Sequence, residues 1–125
     1  MVARAIAAIN ERDIDGYLAC CTEDIELWTP VAPVDGPHEG EEGIRRFFAS
    51  IEDAGPDFRL DLERLREADG DRVLAYVRLS ASGRTTGISY TTETTNLYEF
   101  IGGKIRRVRI YVDHREALEA AGLSE

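Results

Sequence analysis

An aspartate and a histidine stand side by side near the end of the chain, as Asp113 and His114. A carboxylate beside an imidazole can pass a proton, so the pair is a candidate for acid–base chemistry. The same residues also fit a helix start, because Glu116 follows Asp113 by three positions and alanine and leucine then recur at helical spacing. Gly122 ends this predicted helix, and Leu123 can make the apolar contact that accompanies such an end. We therefore expect a helix cap rather than a catalytic pair, with His114 near solvent.

The chain has a small number of other side chains that suit chemistry. His38 lies in a segment rich in glycine and proline, where a lone histidine is most simply solvated. Asn96 lies in a strand-like segment, where hydrogen bonding within a core explains it better than catalysis. Cys20 and Cys21 follow the apolar face of a predicted helix, as small buried side chains do. Their spacing matches no zinc motif, so we expect neither a metal site nor a cofactor.

The charge of the chain argues against a nucleic-acid surface, which needs clustered basic residues. Fifteen basic and 24 acidic residues give a net charge of −9. Strand alternation would also divide the basic cluster Lys104, Arg106, Arg107 and Arg109 between two faces. No apolar run is long enough to cross a membrane, and the N-terminal segment is typical of an amphipathic helix rather than a signal peptide. We expect a cytoplasmic protein in which residues 1–125 form one domain.

Hydrophobic periodicity predicts helices in the first half of the chain. The first spans Val2–Glu11, and Asp13 can cap a second, short helix that turns Tyr17 inward. A third follows over "EEGIRRFFASIEDAG", with acidic residues in its first turn and Gly55–Pro56 at its end. Between the second and third helices, "EDIELWTP" alternates like a short strand, and "VAPVDGPHEG" has the composition of a loop.

The second half of the chain predicts a sheet. Four segments alternate between apolar and polar residues and are separated by short turns, and many of their residues are β-branched or aromatic: "FRLDLERL", "VLAYVRLSA", "ISYTTETTNLYEF" and "IRRVRIYVD". Successive strands joined by short turns are antiparallel. The sequence therefore predicts an α+β fold in which a curved antiparallel sheet is covered on its concave face by helices, as a cone-shaped α+β barrel.

This order of elements resembles the SnoaL-like family of the nuclear transport factor 2-like superfamily. Three segments carry the resemblance and together cover nearly the whole chain: "RDIDGYLACCTEDIELW", "HEGEEGIRRFF" and "GGKIRRVRIYVDHREALEAAGL". Relatives in that superfamily include polyketide cyclases, ketosteroid isomerase, limonene-epoxide hydrolase and proteins that only bind or pair. The resemblance thus implies a pocket in a cone, and not a particular reaction.

Two enzyme templates from that superfamily lose their catalytic acid in this sequence. The resemblance to ketosteroid isomerase places the catalytic aspartate at Thr29 and the oxyanion tyrosine near Ala5. A hydroxyl cannot accept and return a proton as a carboxylate with a pKa of ~4 does. The resemblance to the epoxide hydrolase places its aspartate at Ile110, where an alkyl group cannot activate water. We transfer neither activity, and whether the protein is an enzyme stays open.

The sequence leaves two alternatives for the strand over residues 88–101. If "IGGK" forms a turn with a glycine bulge, one polar set faces inward: Thr92, Thr94, Asn96 and Tyr98. Without the bulge, the opposite set faces inward: Glu93, Thr95 and Leu97. In that second case Glu93 becomes a candidate buried base with a raised pKa.

The residues expected to line the cone alternate inward on strands or recur on helices. They are Tyr17, Leu27, Thr29, His38, Phe47, Phe48, Ile51, Val77, Leu79, Asn96, Tyr98, Val108 and Ile110; Val112 is placed on the same face. Such a mostly apolar pocket binds by burial and orients its ligand with a few polar groups. The sequence predicts a small hydrophobic oxygenated ligand, with cyclase- or isomerase-like chemistry as a candidate activity in which Asn96, His38 and either Thr29 or Tyr98 polarise a carbonyl.

The alternative is a non-catalytic pairing or scaffold module with a filled cone. It would form a homodimer through the outer face of the sheet, where aromatic and basic side chains alternate outward: Trp28, Tyr76, Arg78, Arg107, Arg109 and Tyr111. A dry, packed interior favours this module, and an open cone favours the ligand-binding protein.

Overall fold

The computed structural model describes residues 1–30, 36–82 and 89–124. The predicted order of helices and strands is confirmed there, with one short strand added where a loop was predicted. The helices are α1 (Val2–Glu11), α2 (Ile14–Ala19), α3 (Gly40–Ala54) and α4 (His114–Ala121), and the strands are β1 (Cys21–Trp28), β2 (His38–Glu39), β3 (Arg59–Asp69), β4 (Arg72–Ser82), β5 (Ser89–Ile101) and β6 (Lys104–Tyr111). The first half of the predicted loop, residues 31–35, and the first residue of the predicted 88–101 strand lie outside the described residues.

The strands form one mixed, mostly antiparallel sheet in the order β2-β1-β6-β5-β4-β3. The meander from β3 to β6 is antiparallel, as predicted. The sequence analysis did not predict that β1 pairs with β6 in parallel, with Leu27 beside Val108. A parallel pair needs a long crossover, and α3 together with the meander supplies it.

The first three helices pack on the concave face of this sheet. One apolar cluster joins them to the inward side chains of the strands: Val2, Ile6 and Ile9 from α1, Tyr17 from α2, Ile44, Phe47, Phe48 and Ile51 from α3, and Ile25, Leu27, Ala75, Val77, Tyr98 and Val108 from the strands. The predicted inward faces of β1 and β4 are therefore confirmed. Burial of this apolar surface is what holds helices and sheet together.

The last helix, α4, packs on the opposite face of the sheet, so the expectation that helices cover one side only was wrong for this element. Ala117 and Leu118 of α4 contact a second cluster built on Leu74 and Leu97. Those two leucines face each other directly across β4 and β5. Two adjacent leucines on an outer face expose apolar surface, and α4 removes it from water.

The glycine-bulge alternative for β5 is confirmed. Gly102 and Gly103 turn the chain with φ values of 58° and 80°, and the β5–β6 register shifts between Glu99 and Phe100. Asn96 therefore lies opposite Ile110 on the concave face. Glu93 points outward and its side chain is 73% exposed, 4.0 Å from Arg78, so Glu93 is not a buried base.

The Asp113 cap is also confirmed. Its carboxylate accepts the backbone N–H groups of Arg115 at 2.9 Å and Glu116 at 3.4 Å. At the other end of α4, Gly122 adopts φ 72°, and the N–H of Leu123 donates to the Leu118 carbonyl at 2.9 Å. The Asp113 carboxylate is thus committed to backbone N–H groups, and the Asp–His pair is a strand-to-helix connection.

Candidate ligand-binding site

The site is built on a row of side chains that crosses the concave face. Asn96 of β5 lies between Ile110 of β6 and Ala75 of β4 in the strand register. Thr29 directly follows Trp28, the last residue of β1, and the register of β1 with β6 places Thr29 beside Ile110. The row thus consists, in order, of Thr29, Ile110, Asn96 and Ala75, and its two polar residues lie on either side of Ile110.

The resemblances had placed catalytic aspartates at Thr29 and at Ile110, and the fold brings these two positions side by side. Neither can supply a base, since one is a hydroxyl and the other an alkyl group. Ala5, where the isomerase keeps a tyrosine, is fully buried in the packed interior. The row itself, Thr29, Ile110, Asn96 and Ala75, also lacks a carboxylate.

Two oxygen atoms of the row are buried without a hydrogen-bond partner among the described residues. They are Oγ1 of Thr29 and Oδ1 of Asn96. A buried polar atom that is left unpaired costs about 1–3 kcal/mol. Each such atom in a native fold calls for an explanation, and an absent ligand is one of them.

Near Asn96, two buried tyrosines lie close together. Burial raises the pKa of Tyr98 to about 12, and a hydrogen bond from the Asn96 side chain partly offsets that rise. Burial likewise raises the pKa of Tyr17, helped by the nearby phenol of Tyr98. Burial raises the pKa of the Cys21 thiol to about 12, and its Sγ lies 3.3 Å from the Tyr17 carbonyl. All three groups are therefore neutral at physiological pH.

Burial along β5 shows which end of the cone is open. The exposed fraction rises from 3% at Tyr98 to 4% at Asn96 and 8% at Thr94, and Thr92 is exposed. The concave face is therefore open toward Thr92, and we call that end of the cone its wide end. Asn96 stands near the boundary between the buried and the exposed parts of β5.

The thirteen predicted pocket residues differ in exposure. Eight are at most 4% exposed: Tyr17, Leu27, Phe48, Ile51, Val77, Asn96, Tyr98 and Val108. The other five are more exposed: Thr29, His38, Phe47, Leu79 and Ile110. Val112 was placed on the inward face wrongly, because β6 ends at Tyr111 and Val112 is 64% exposed.

His38 reaches this region through β2, although its segment was predicted to be a loop. It pairs with Leu27 of β1, and its ring centroid lies 5.9 Å from that of Phe47 in α3. The first turn of α3 approaches closely here, since a Cβ at Gly43 would lie 2.6 Å from the carbonyl carbon of His38. The histidine is half-buried rather than simply solvated.

One carboxylate of the sheet, that of Glu26, pairs with side chains on the outer face. Glu26 accepts a hydrogen bond from the Trp28 indole at 3.0 Å and lies 3.2 Å from Arg107 and 3.4 Å from Arg106. The pKa of Glu26 is lowered, first by the Trp28 bond and then by the two arginines. Residues 1–30, 36–82 and 89–124 contain no cluster of three or more histidine, cysteine, aspartate or glutamate side chains that could bind a metal.

A groove of about 470 Å³ opens where β1 and β6 end. Its walls are Trp28, Thr29, Pro30, Arg109, Ile110, Tyr111, Val112 and Glu116. It adjoins the row on the concave face through Thr29 and Ile110. The sequence analysis missed this groove because its walls come from opposite ends of the chain, and only the parallel β1–β6 pairing brings them together.

Three solved structures share this fold over nearly their whole length. An NTF2-like protein of unknown function from Burkholderia pseudomallei K96243 is 20% identical, with a TM-score of 0.78 over 94% of this chain and 92% of that one. TerC, co-crystallised with polyporic acid, is 23% identical, with a TM-score of 0.79 over 97% and 95%. RV0760c from Mycobacterium tuberculosis, in complex with estradiol-17β-hemisuccinate, is 18% identical, with a TM-score of 0.75 over 91% and 92%.

The sequence comparisons and the helices of the structure give three further findings. No curated protein matches its sequence. Within the described residues, no helix has both the length and the apolar character that a membrane span requires. The model of the SnoaL-like domain matches residues 2–108, which is most of the chain. The protein therefore belongs to the SnoaL-like family, within the NTF2-like cone fold that its structure displays.

Proposed function

We propose that this protein binds a small, largely apolar and uncharged molecule in the wide half of its cone. The observation that carries the proposal is the pair of buried oxygens without partners, Thr29 Oγ1 and Asn96 Oδ1. Both belong to the row that crosses the concave face, where an apolar molecule could lie against Ile110. A bound polar group would remove the cost of about 1–3 kcal/mol that each unpaired atom carries.

The surroundings of the row favour binding over proton transfer. Phe47, Leu79 and Ile110 supply apolar walls, and the row of Thr29, Ile110, Asn96 and Ala75 holds no carboxylate that can act as a base. TerC was co-crystallised with polyporic acid and RV0760c with estradiol-17β-hemisuccinate, so the same fold accommodates small organic molecules in those proteins. Cyclase- or isomerase-like chemistry would have to proceed here by orientation and polarisation alone.

A thermal-shift screen with small aromatic alcohols, ketones and lactones tests this proposal. Thr29→Val removes the inward hydroxyl, and Thr95→Val removes a hydroxyl of similar size from the opposite face, so the second variant is the matched control. Ligands that stabilise the wild-type protein should stabilise Thr95→Val equally and Thr29→Val less. Absence of stabilisation by every compound, with no bound density in a crystal structure of the cone, would contradict the proposal.

The second candidate function is homodimerisation through the outer sheet face. Several side chains expected to form that contact are already engaged within the chain. Arg107 pairs with Glu26 and Glu99, Arg78 pairs with Glu63, and α4 covers the face over Leu74 and Leu97. The surface left for a partner is the groove, whose apolar walls include Trp28, Pro30, Tyr111 and Val112.

The groove also holds two charges that suit contact with a second copy. Arg109 and Glu116 both line it, and neither makes an ion pair with any residue in the described ranges. In a two-fold symmetric dimer the same patch meets itself, so the arginine of one subunit can face the glutamate of the other. Multi-angle light scattering tests the assembly, and a monomer at high concentration would contradict it.

A further inference from the structure

Resting on the proposed function, we infer that the ligand presents a hydrogen-bond donor, as the neutral hydroxyl of a phenol or enol does, to Asn96 Oδ1, and a second hydroxyl to Thr29 Oγ1, which can accept or donate. The inference concerns the chemical class of ligand within the same site. It follows from which atoms of the row lack a partner among the described residues, because a ligand whose polar atoms only accept hydrogen bonds would leave Asn96 Oδ1 unpaired.

The two ends of the Asn96 amide are in different states. Its nitrogen side donates to the Tyr98 hydroxyl, as the lowering effect of Asn96 on the Tyr98 pKa indicates. Its oxygen is buried with no partner among the described residues. An amide oxygen can only accept a hydrogen bond, so a carbonyl or ether of a ligand cannot satisfy it.

The spacing of the two free oxygens sets the shape of the ligand. Thr29 and Asn96 belong to strand positions separated by β6, with Ile110 between them. Neighbouring strands lie about 4.8 Å apart, so the two positions are separated by roughly 10 Å. A rigid two-ring molecule spans that distance with one hydroxyl at each end, while its apolar rings lie over Ile110.

A negatively charged ligand does not fit the same place. The unpaired Asn96 Oδ1 can only accept and repels an anion, and the inward tyrosine next to Asn96 stays protonated because burial raises its pKa. A buried charge without a partner is far more costly than a buried hydroxyl. The hydroxyls of the ligand should therefore bind in their neutral form.

Calorimetric titration with a matched series tests the inference directly. The probes are 2,6-dihydroxynaphthalene, its dimethyl ether and naphthalene-2,6-dicarboxylate. We expect the diol to bind at least about tenfold more tightly than the diether, because the diether leaves Asn96 Oδ1 unpaired. The dicarboxylate should show no measurable binding at the same concentrations.

Variants distinguish hydrogen bonding from the larger size of the diether. Asn96→Leu keeps the side-chain volume but removes the acceptor, so the preference for the diol should shrink to within about threefold. Asn96→Ala provides the same test if Asn96→Leu does not fold, and Thr95→Val on the outer face should keep the full preference.

The outcomes separate this inference from the proposed function. Equal binding of diol and diether to the wild-type protein would overturn the inference and leave the proposed binding site standing. The same holds for a preference that persists unchanged in the Asn96 variants. Failure of all three probes to bind would overturn the proposed function and this inference together.

Discussion

At the scale of single residues, the inward hydroxyl of Thr29 has a cost that a simple substitution can measure. Replacing Thr29 by valine keeps the shape and removes an unpaired buried oxygen, so the free energy of unfolding of the ligand-free protein should rise by about 1 kcal/mol. Thr95→Val is the control, because Thr95 Oγ1 lies 3.1 Å from His114 Nδ1 and loses that bond. Urea denaturation should therefore show opposite signs for the two variants, and equal destabilisation would contradict the assignment of Thr29.

The buried phenol of Tyr98 predicts a dependence of stability on pH. Below pH 10 the phenol is protonated in both folded and unfolded chains; above it, the unfolded chain loses the proton while the folded chain keeps it up to about pH 12. The unfolded state then binds fewer protons, so stability falls as pH rises, by about 1 kcal/mol between pH 10 and pH 11.

Two phenylalanine variants isolate this contribution. Tyr98→Phe should show a shallower fall in the free energy of unfolding over pH 10–11 than the wild-type protein. Tyr90→Phe is the control, because Tyr90 is 49% exposed and should leave the fall unchanged. The same slope in Tyr98→Phe as in the wild type would mean that Tyr98 ionises equally in both states.

At the scale of elements, the α4 cap predicts a local loss of stability. Asp113→Ala leaves the N–H groups of Arg115 and Glu116 without their acceptor, at a cost of about 1 kcal/mol. Glu119→Ala changes an exposed side chain of the same helix outside the cap and should have less than half that effect. Hydrogen exchange should show faster opening of α4 in Asp113→Ala alone, since the apolar contact of α4 with the sheet is the small cluster on Leu74 and Leu97.

The elements that were predicted from sequence are those fixed by local physics. The 3.6-residue period located α1, and Asp113 with Gly122 marked both ends of α4. The sequence left two alternatives for the inward face of β5, because that face depends on a register shift beside Gly102 and Gly103, which alternation alone does not decide. The face on which α4 packs depended on the contact between Leu74 and Leu97, two residues that only strand pairing brings together.

At the scale of the whole molecule, the candidate site also combines features that the sequence predicts with features that only the fold shows. The inward polar residues Asn96 and Thr29 were predicted from alternation, but their unpaired oxygens were not, because pairing depends on every neighbour in three dimensions. The groove depends on the parallel contact of β1 with β6, between segments from opposite ends of the chain. Functional residues on a single strand can thus be predicted from the sequence, whereas a site formed between strands that are distant in sequence can be found only from the fold.

Assembly of the molecule can be tested with the two unpaired charges of the groove. If two copies pair through it symmetrically, Arg109→Glu places like charges opposite each other and should shift the protein toward monomer by about tenfold or more in dissociation constant. Glu116→Arg should do the same, and the double variant should restore pairing because each charge again meets its opposite. Sedimentation velocity measures all four proteins, with Glu119→Arg on the same helix as the control for a general change of charge. Equal weakening in the double variant would mean that Arg109 and Glu116 do not meet across the two-fold axis.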